Sequence, residues 1–290
     1  RTKRLESDPT NTNLLDDLAV AYEKTDNHEK AIEIGHKMEK MNPLRYETAA
    51  NLGTFYLHAG KFKEGLTYIE KAITINANAH FGREKYQKLL VEYLIEKQPN
   101  PPFTLPIATI TKEEGRRVHV SNTFAQFLRG KTDNNFLGQE DTQNAVKGIL
   151  GMMKFGNYNS PILLEALASL LLEGNEKDDA KLLAARAYLK ASYETKSETA
   201  KESYRLLANR CLPSQTTTYT SHDPMSLKMI ETDLQKELSE ANIFYQNLYQ
   251  LELTWIKEGK NPEKEFDKLY KHETAEPPST TYKWVLGCTI

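Results

Sequence analysis

The chain has 290 residues, with 38 Lys and Arg against 40 Asp and Glu, a net charge of -2. A 27% charged content and a mean hydropathy of -0.63 leave much solvated surface beside an apolar fraction of 39%. This balance excludes the one-sided basic field of a nucleic-acid binder, and no apolar run approaches the roughly 18 to 20 residues that cross a bilayer as a helix.

The chain opens Arg1-Thr2-Lys3-Arg4, without an initiator Met or a signal-like apolar stretch. Residues 1–7 read as the stub of a helix that should begin further upstream, which predicts a trimmed chain. Residues 12–43 predict a helix-turn-helix. Leu15, Leu18, Ala19 and Tyr22 fall on one helical face, Thr25-Asp26-Asn27 makes the turn, and Ala31, Ile34 and Met38 line the second helix. Small residues at 19 and 31 let the two helices approach closely. Pro43 is expected to end the second helix, because it lacks an N–H and disfavours helical geometry in the residue before it.

Residues 46–77 repeat the pattern. Leu18-Ala19 and Tyr22 recur 34 residues later as Leu52-Gly53 and Tyr56, Ala31 as Gly65, Met38 as Ala72, and Asn42-Pro43 as Asn76-Ala77. This spacing and these residue types resemble the tetratricopeptide repeat (TPR) family. Gly35, where the family usually has an aromatic, and Gly65 in place of Ala are modest departures. The resemblance implies an all-α fold: a right-handed TPR-like helical solenoid, here with a helical C-terminal half and an extended C-terminal tail.

Residues 79–97 predict a further helix with Tyr86, Leu90 and Tyr93 on one face, able to cap the stack. This makes 1–98 a first region of repeats and capping helix. Pro99, Pro101, Pro102 and Pro106 then forbid continuous helix. Residues 99–138 are a Pro-containing connection with extended stretches such as Ile107-Ala108-Thr109-Ile110, and a short helix near Thr123–Arg129. Residues 139–212 are a second helical region with TPR-like repeats. Residues 141–155 form a helix on Val146, Ile149, Leu150 and Met153. Ser160-Pro161 is a helix-start signature, and Leu164, Leu167, Ala168, Leu171, Ala180, Ala184 and Ala187 restore the repeat spacing around a Gly174-Asn175 turn. A helix over 197–211 closes the region. Glycines 148 and 151 read as tight helix packing or, with Met152 and Met153, as an adaptable binding surface.

Residues 213–290 comprise a long helix, a short helix and the tail. Asp223-Pro224 signals the start of a helix running to Glu258, with a heptad-like seam of Leu227, Leu234, Ala241, Leu248 and Trp255, and with Ile230, Phe244 and Leu251 between. Two readings are open: packing along the body, or an intermolecular coiled coil, with Glu237 on the seam favouring the first. A helix over 262–272 precedes the tail from Pro277 to Ile290. Trp284, Val285 and Leu286 are too apolar to dangle in water and are expected to dock, beside the long helix or in a partner.

Cys211 and Cys288 read either as two unpaired thiols or as one disulfide holding the tail. The seven histidines are scattered, and no close metal spacing, serine elbow, phosphate loop or dinucleotide fingerprint is present. No catalytic residue, metal site or cofactor is therefore assigned.

In the TPR family, partners bind the concave face formed by the first helix of each repeat. Carried onto this chain, that face comprises Asn13, Asp16, Asp17, Val20 and Glu23, then Glu47, Ala50, Asn51, Thr54 and His58. Chaperone-binding members clamp a C-terminal carboxylate with Lys and Asn. Asn51 matches such a position, but Asp16 and Val20 replace the expected Lys and Asn, so a basic or neutral peptide suits this face better than an acidic one. The resemblance implies a non-enzymatic interaction module for a protein or peptide. The alternatives are an enzyme or enzyme subunit with a site in the helical C-terminal half, or a structural assembly protein using the long helix. The layout also resembles uncharacterised bacterial TPR proteins, often exported, with a helical region similar to Ala145–Ala191. That likeness implies a bacterial origin and a periplasmic or cell-envelope setting rather than the cytoplasm.

Overall fold

A computed structural model describes residues 2–112, 118–173, 178–212 and 226–270. Among these the protein is predominantly helical, with thirteen α-helices, one 3-10 turn and one two-stranded hairpin. Contacts divide the chain into two compact units, residues 1–230 and 231–290.

The first unit starts with α1 (Thr2–Ser7) and two helix pairs, α2 (Thr12–Glu23) with α3 (His28–Met41), and α4 (Tyr46–His58) with α5 (Phe62–Ile75). The second pair begins 34 residues after the first, helix for helix. The turns repeat as well. Asp26 and Gly60 both adopt positive φ, and the N–H of the following residue bonds back to the carbonyl of Tyr22 or Tyr56 at 2.9 Å. Both second helices stop at an extended Asn, Asn42 or Asn76, whose side chain accepts an N–H two residues on at 3.3 Å. The asparagine turn thus ends both helices, and Pro43 is not required, since Ala77 holds the equivalent place.

Close approach is literal at the glycines. A Cβ on Gly65 would stand 3.2 Å from the carbonyl oxygen of Gly53, and one on Gly53 would collide with Ile69. Ala19 and Ala31 are fully buried, and Leu52 fills the space that the missing side chain of Gly35 leaves. Tyr22 and Tyr56 are only half-buried. Tyr56 stacks on Tyr68 with ring centroids 5.5 Å apart and shares a 2.8 Å hydrogen bond with His36 through its hydroxyl. A phenol keeps its polar end within reach of such partners, so these rings wall the core rather than fill it.

The helix expected over 79–97 is divided. A 3-10 turn over Ala79–Gly82 ends at Gly82, φ 71°, and α6 runs from Arg83 to Lys97. The Pro-containing connection then packs on the helices. The Gln98 side-chain amide holds both the N–H and the carbonyl of Thr104, at 2.6 and 2.7 Å, and Phe103 meets Phe62. Strands β1 (Thr109–Lys112) and β2 (Val118–Ser121) pair antiparallel, with Ile110 opposite Val120.

Helix α7 (Phe124–Arg129) starts at a capping box of Thr123 and Gln126. Tyr93, Phe124 and Phe127 make an aromatic trio at the centre of the larger core. Helix α8 (Gln139–Phe155) packs on α6. A Cβ on Gly148 would lie 2.6–2.9 Å from Tyr86, so its glycine is a packing glycine, and Met152 and Met153 lie against the same core. Ser160 caps α9 (Pro161–Leu172), which pairs with α10 (Asp178–Glu194), and α11 (Glu198–Arg210) packs on α10.

Glu165 of α9 is the buried anchor of this half. Its two oxygens accept the N–H groups of Ile107 and Ala108, at 3.0 and 2.7 Å, and the Tyr204 hydroxyl at 2.8 Å. The segment just before β1 is thereby fixed to α9 by side-chain bonds to its backbone. Burial drives the Glu165 pKa up and the three donors pull it back, leaving it raised.

Helix α12 (Leu227–Lys257) spans the boundary between units. Its seam is buried at Ile230, Leu234 and Trp255 and exposed at Ala241, Phe244 and Leu251. In the second unit, α13 (Pro262–Tyr270) meets α12 through Tyr270 and Phe244, 5.9 Å apart. Cys211 is a buried free thiol. The expected Gly174-Asn175 turn, Asp223-Pro224 helix start, Cys288 and the tail with Trp284, Val285 and Leu286 lie outside the described residues.

Candidate partner-binding face

The face expected from the first helices is built by bonds that reach one repeat along the chain. Asn51 donates to Asp16 at 3.3 Å, His58 Nδ1 meets Glu23 Oε1 at 2.5 Å, Gln87 Nε2 donates to Thr54 Oγ1 at 3.2 Å, and Tyr46 meets His80 at 2.9 Å. The partners are separated by 33 to 35 residues, so three of the bonds join neighbouring first helices, α2 to α4 or α4 to α6, and the Tyr46 bond joins the start of α4 to the 3-10 turn before α6. The equal offset of α2 and α4 brings their corresponding positions side by side, where side chains of neighbouring helices can meet.

The residue types suggest a mixed to acidic face, and the structure shows how part of that charge is paired. Arg45, just before α4, places its guanidinium 2.5 Å from Asp16 Oδ2 and 3.6 Å from Glu47. The Asp16 hydrogen bond is the main reason the Arg45 pKa rises. Asp16 is thus consumed by the fold and is not a ligand for a partner's cation. Glu23 is nearly enclosed, its side chain 8% exposed, with His28 Nδ1 2.9 Å from its second oxygen. Burial alone would raise its pKa, but hydrogen bonds and charge from His58 and His28 outweigh that and hold it below 4.5.

Of the expected residues, Asn13, Asp17, Val20, Glu47 and His58 are exposed, and Asn51 and Thr54 are partly covered by the bonds described. Ala50 is buried and belongs to a core cluster with Tyr46, Ala49 and Ala72. It therefore leaves the face, because at its place in α4 the helix turns inward.

Four contributors were not legible in the repeat pattern. Besides Arg45 and Gln87, Lys24 reaches the carbonyls of Phe155 and Gly156, at 3.2 and 2.7 Å, capping the C-terminal end of α8. Phe155 itself is 58% exposed, with Arg83 5.7 Å and His80 6.3 Å from its ring. The last turn of α8 therefore touches the end of α2 and the start of α6 together, and sets a bare aromatic beside the first helices. The run from Lys147 to Gly156, with its glycines and methionines, was its sole local signal.

No protein-family model matches the chain, and a search of curated proteins found none similar to it. Among the described residues no helix is long and apolar enough to cross a membrane, and no three His, Cys, Asp or Glu side chains are grouped to hold a metal ion.

Proposed function

We propose that the protein is a TPR-like, non-enzymatic interaction module that takes a basic or neutral peptide segment on the face of α2 and α4. The ladder of bonds one repeat apart carries this reading. It holds Asp16, Asn51, Glu23 and Thr54 in place before any partner arrives, so little ordering cost falls on binding. Around that frame stand an apolar position, Val20, the acidic Asp17 and Glu47, and the exposed Phe155 ring. Val20 and Phe155 offer apolar anchors, and the exposed Asp17 and Glu47 add carboxylates on the first helices, which suits a peptide bearing Lys or Arg as well as an apolar residue.

The test uses fluorescein-labelled peptide pools of one length, one pool carrying Lys and the other Glu at the charged positions. The full chain should raise the anisotropy of the Lys pool and leave the Glu pool unchanged. Asp17→Lys with Glu47→Lys should weaken the Lys pool with the circular dichroism spectrum intact. Equal binding of both pools, or binding that survives the double reversal, would sink the reading.

A further inference from the structure

The helical half holds a feature that the peptide-binding face does not use. A cavity of about 400 Å³ opens between the end of β2, α7, α9, α10 and the C-terminal end of α11. That volume lies in the range of small-molecule sites, about 300–1,000 Å³, which combine apolar walls with a few convergent polar groups. Here Val120, Leu172, Tyr188 and Leu207 make the apolar wall, and Gln126, Lys181 and Arg210 bring donors to it.

The charge of the lining selects the ligand. Two cations, Lys181 and Arg210, face one carboxylate, Glu173, and that carboxylate is already paired with Arg129 at 3.6 Å. The ion pair of Lys181, with Asp178 at 3.5 Å, is to a carboxylate 72% exposed, where such pairs hold weakly. The Arg210 charge acts inward: it partly offsets the rise that burial causes in the Tyr188 phenol and in the Cys211 thiol, which lines the same cavity. Both groups stay neutral at physiological pH, the thiol being pushed up to about 12. The positive charge therefore meets no thiolate or phenolate inside the cavity.

We propose that this cavity binds a small amphipathic anion, a carboxylate whose head sits on Arg210 and Lys181 and whose apolar body lies along Leu172, Leu207 and Tyr188. The site is separate in residues from the face on α2 and α4, and either can fail without the other.

The test is a titration of the 15N-labelled full chain with octanoate, octanol and octylamine, which share one chain length and differ in the head group. Octanoate should shift the amides of Val120, Gln126, Leu172, Tyr188 and Leu207. Octylamine should not. Arg210→Gln with Lys181→Gln should weaken octanoate by about tenfold or more, the scale for losing hydrogen bonds to a charged group, and leave octanol unaffected. Leu172→Trp fills the cavity without touching its charge and should weaken octanoate and octanol together. The proposal falls if octanoate moves none of these amides, if octylamine binds as well as octanoate, or if the double charge variant binds octanoate like the parent.

Discussion

Glu23 at the end of α2 accepts His58 from the end of α4 at 2.5 Å, while its other oxygen meets His28 at 2.9 Å. One nearly buried carboxylate thus ties the turn of the first helix pair to the first helix of the second. Similar bonds recur between Asp16 and Asn51 and between Thr54 and Gln87, so neighbouring pairs are stitched by polar contacts as well as by apolar packing.

Glu23→Gln should cost about 1–3 kcal/mol, the usual range when hydrogen bonds to a charged group are lost. The sign of the pH dependence follows from the lowered pKa. A carboxylate depressed in the folded state contributes fully above its ordinary value of 4.5, and that contribution is lost as pH falls through the folded value. The stability gap between parent and variant should therefore be larger at pH 5.5 than at pH 3.5, as read by urea unfolding. A gap that widens on acidification would refute the assignment.

Glu165→Leu should be far more damaging. It leaves the N–H groups of Ile107 and Ala108 and the Tyr204 hydroxyl without their acceptor inside the protein. Each stranded buried donor costs about 1–3 kcal/mol, so a loss of at least about 3 kcal/mol is expected. In Glu165→Gln, one carbonyl oxygen remains and the amide N–H2 faces donors, so it should be intermediate. Amide exchange at Ile107 and Ala108 gives the local readout, and unchanged protection in either variant would show that the anchor lies elsewhere.

Gly148→Ala sets two known effects against each other. Replacing a helical Gly by Ala favours the helix by about 1 kcal/mol. The new Cβ would lie 2.6 Å from Tyr86 Cδ2 and 2.8 Å from Tyr86 Cβ, and the latter cannot swing aside without moving α6. Overpacking of this kind costs about 1–3 kcal/mol. The variant should lower the melting temperature, whereas an increase would mean that α6 and α8 have slack at this crossing.

Tyr56→Ala should cost about 2 kcal/mol, less than the 3–5 kcal/mol of emptying a fully buried aromatic site, because the ring is half-exposed. Tyr56→Phe keeps the stack on Tyr68 and loses only the bond to His36, about 1 kcal/mol. If the two variants unfold at the same urea concentration, the stack contributes nothing and the hydroxyl carries the whole effect.

Most helix positions in this protein were written locally and determined by the sequence itself, the division of 79–97 into a 3-10 turn and α6 excepted. Apolar residues at helical spacing, Asn27, Ser160 and Ser197 as caps, and the doubled Asn42 and Asn76 stops define where helices begin and end, because these are bonds within one or two turns of chain. The resemblance that the 34-residue recurrence carries implied that Asp16, Asn51, Glu23 and His58 share one face. Tertiary structure alone decided what those neighbours do. Arg45 neutralises Asp16, the end of α8 delivers Phe155 and the carbonyls that Lys24 caps, and Glu165 holds a segment 57 and 58 residues away in sequence. None of these partners is marked by a period, because a charge or a buried donor is satisfied by whichever group packing brings within about 3 Å, at any distance along the chain.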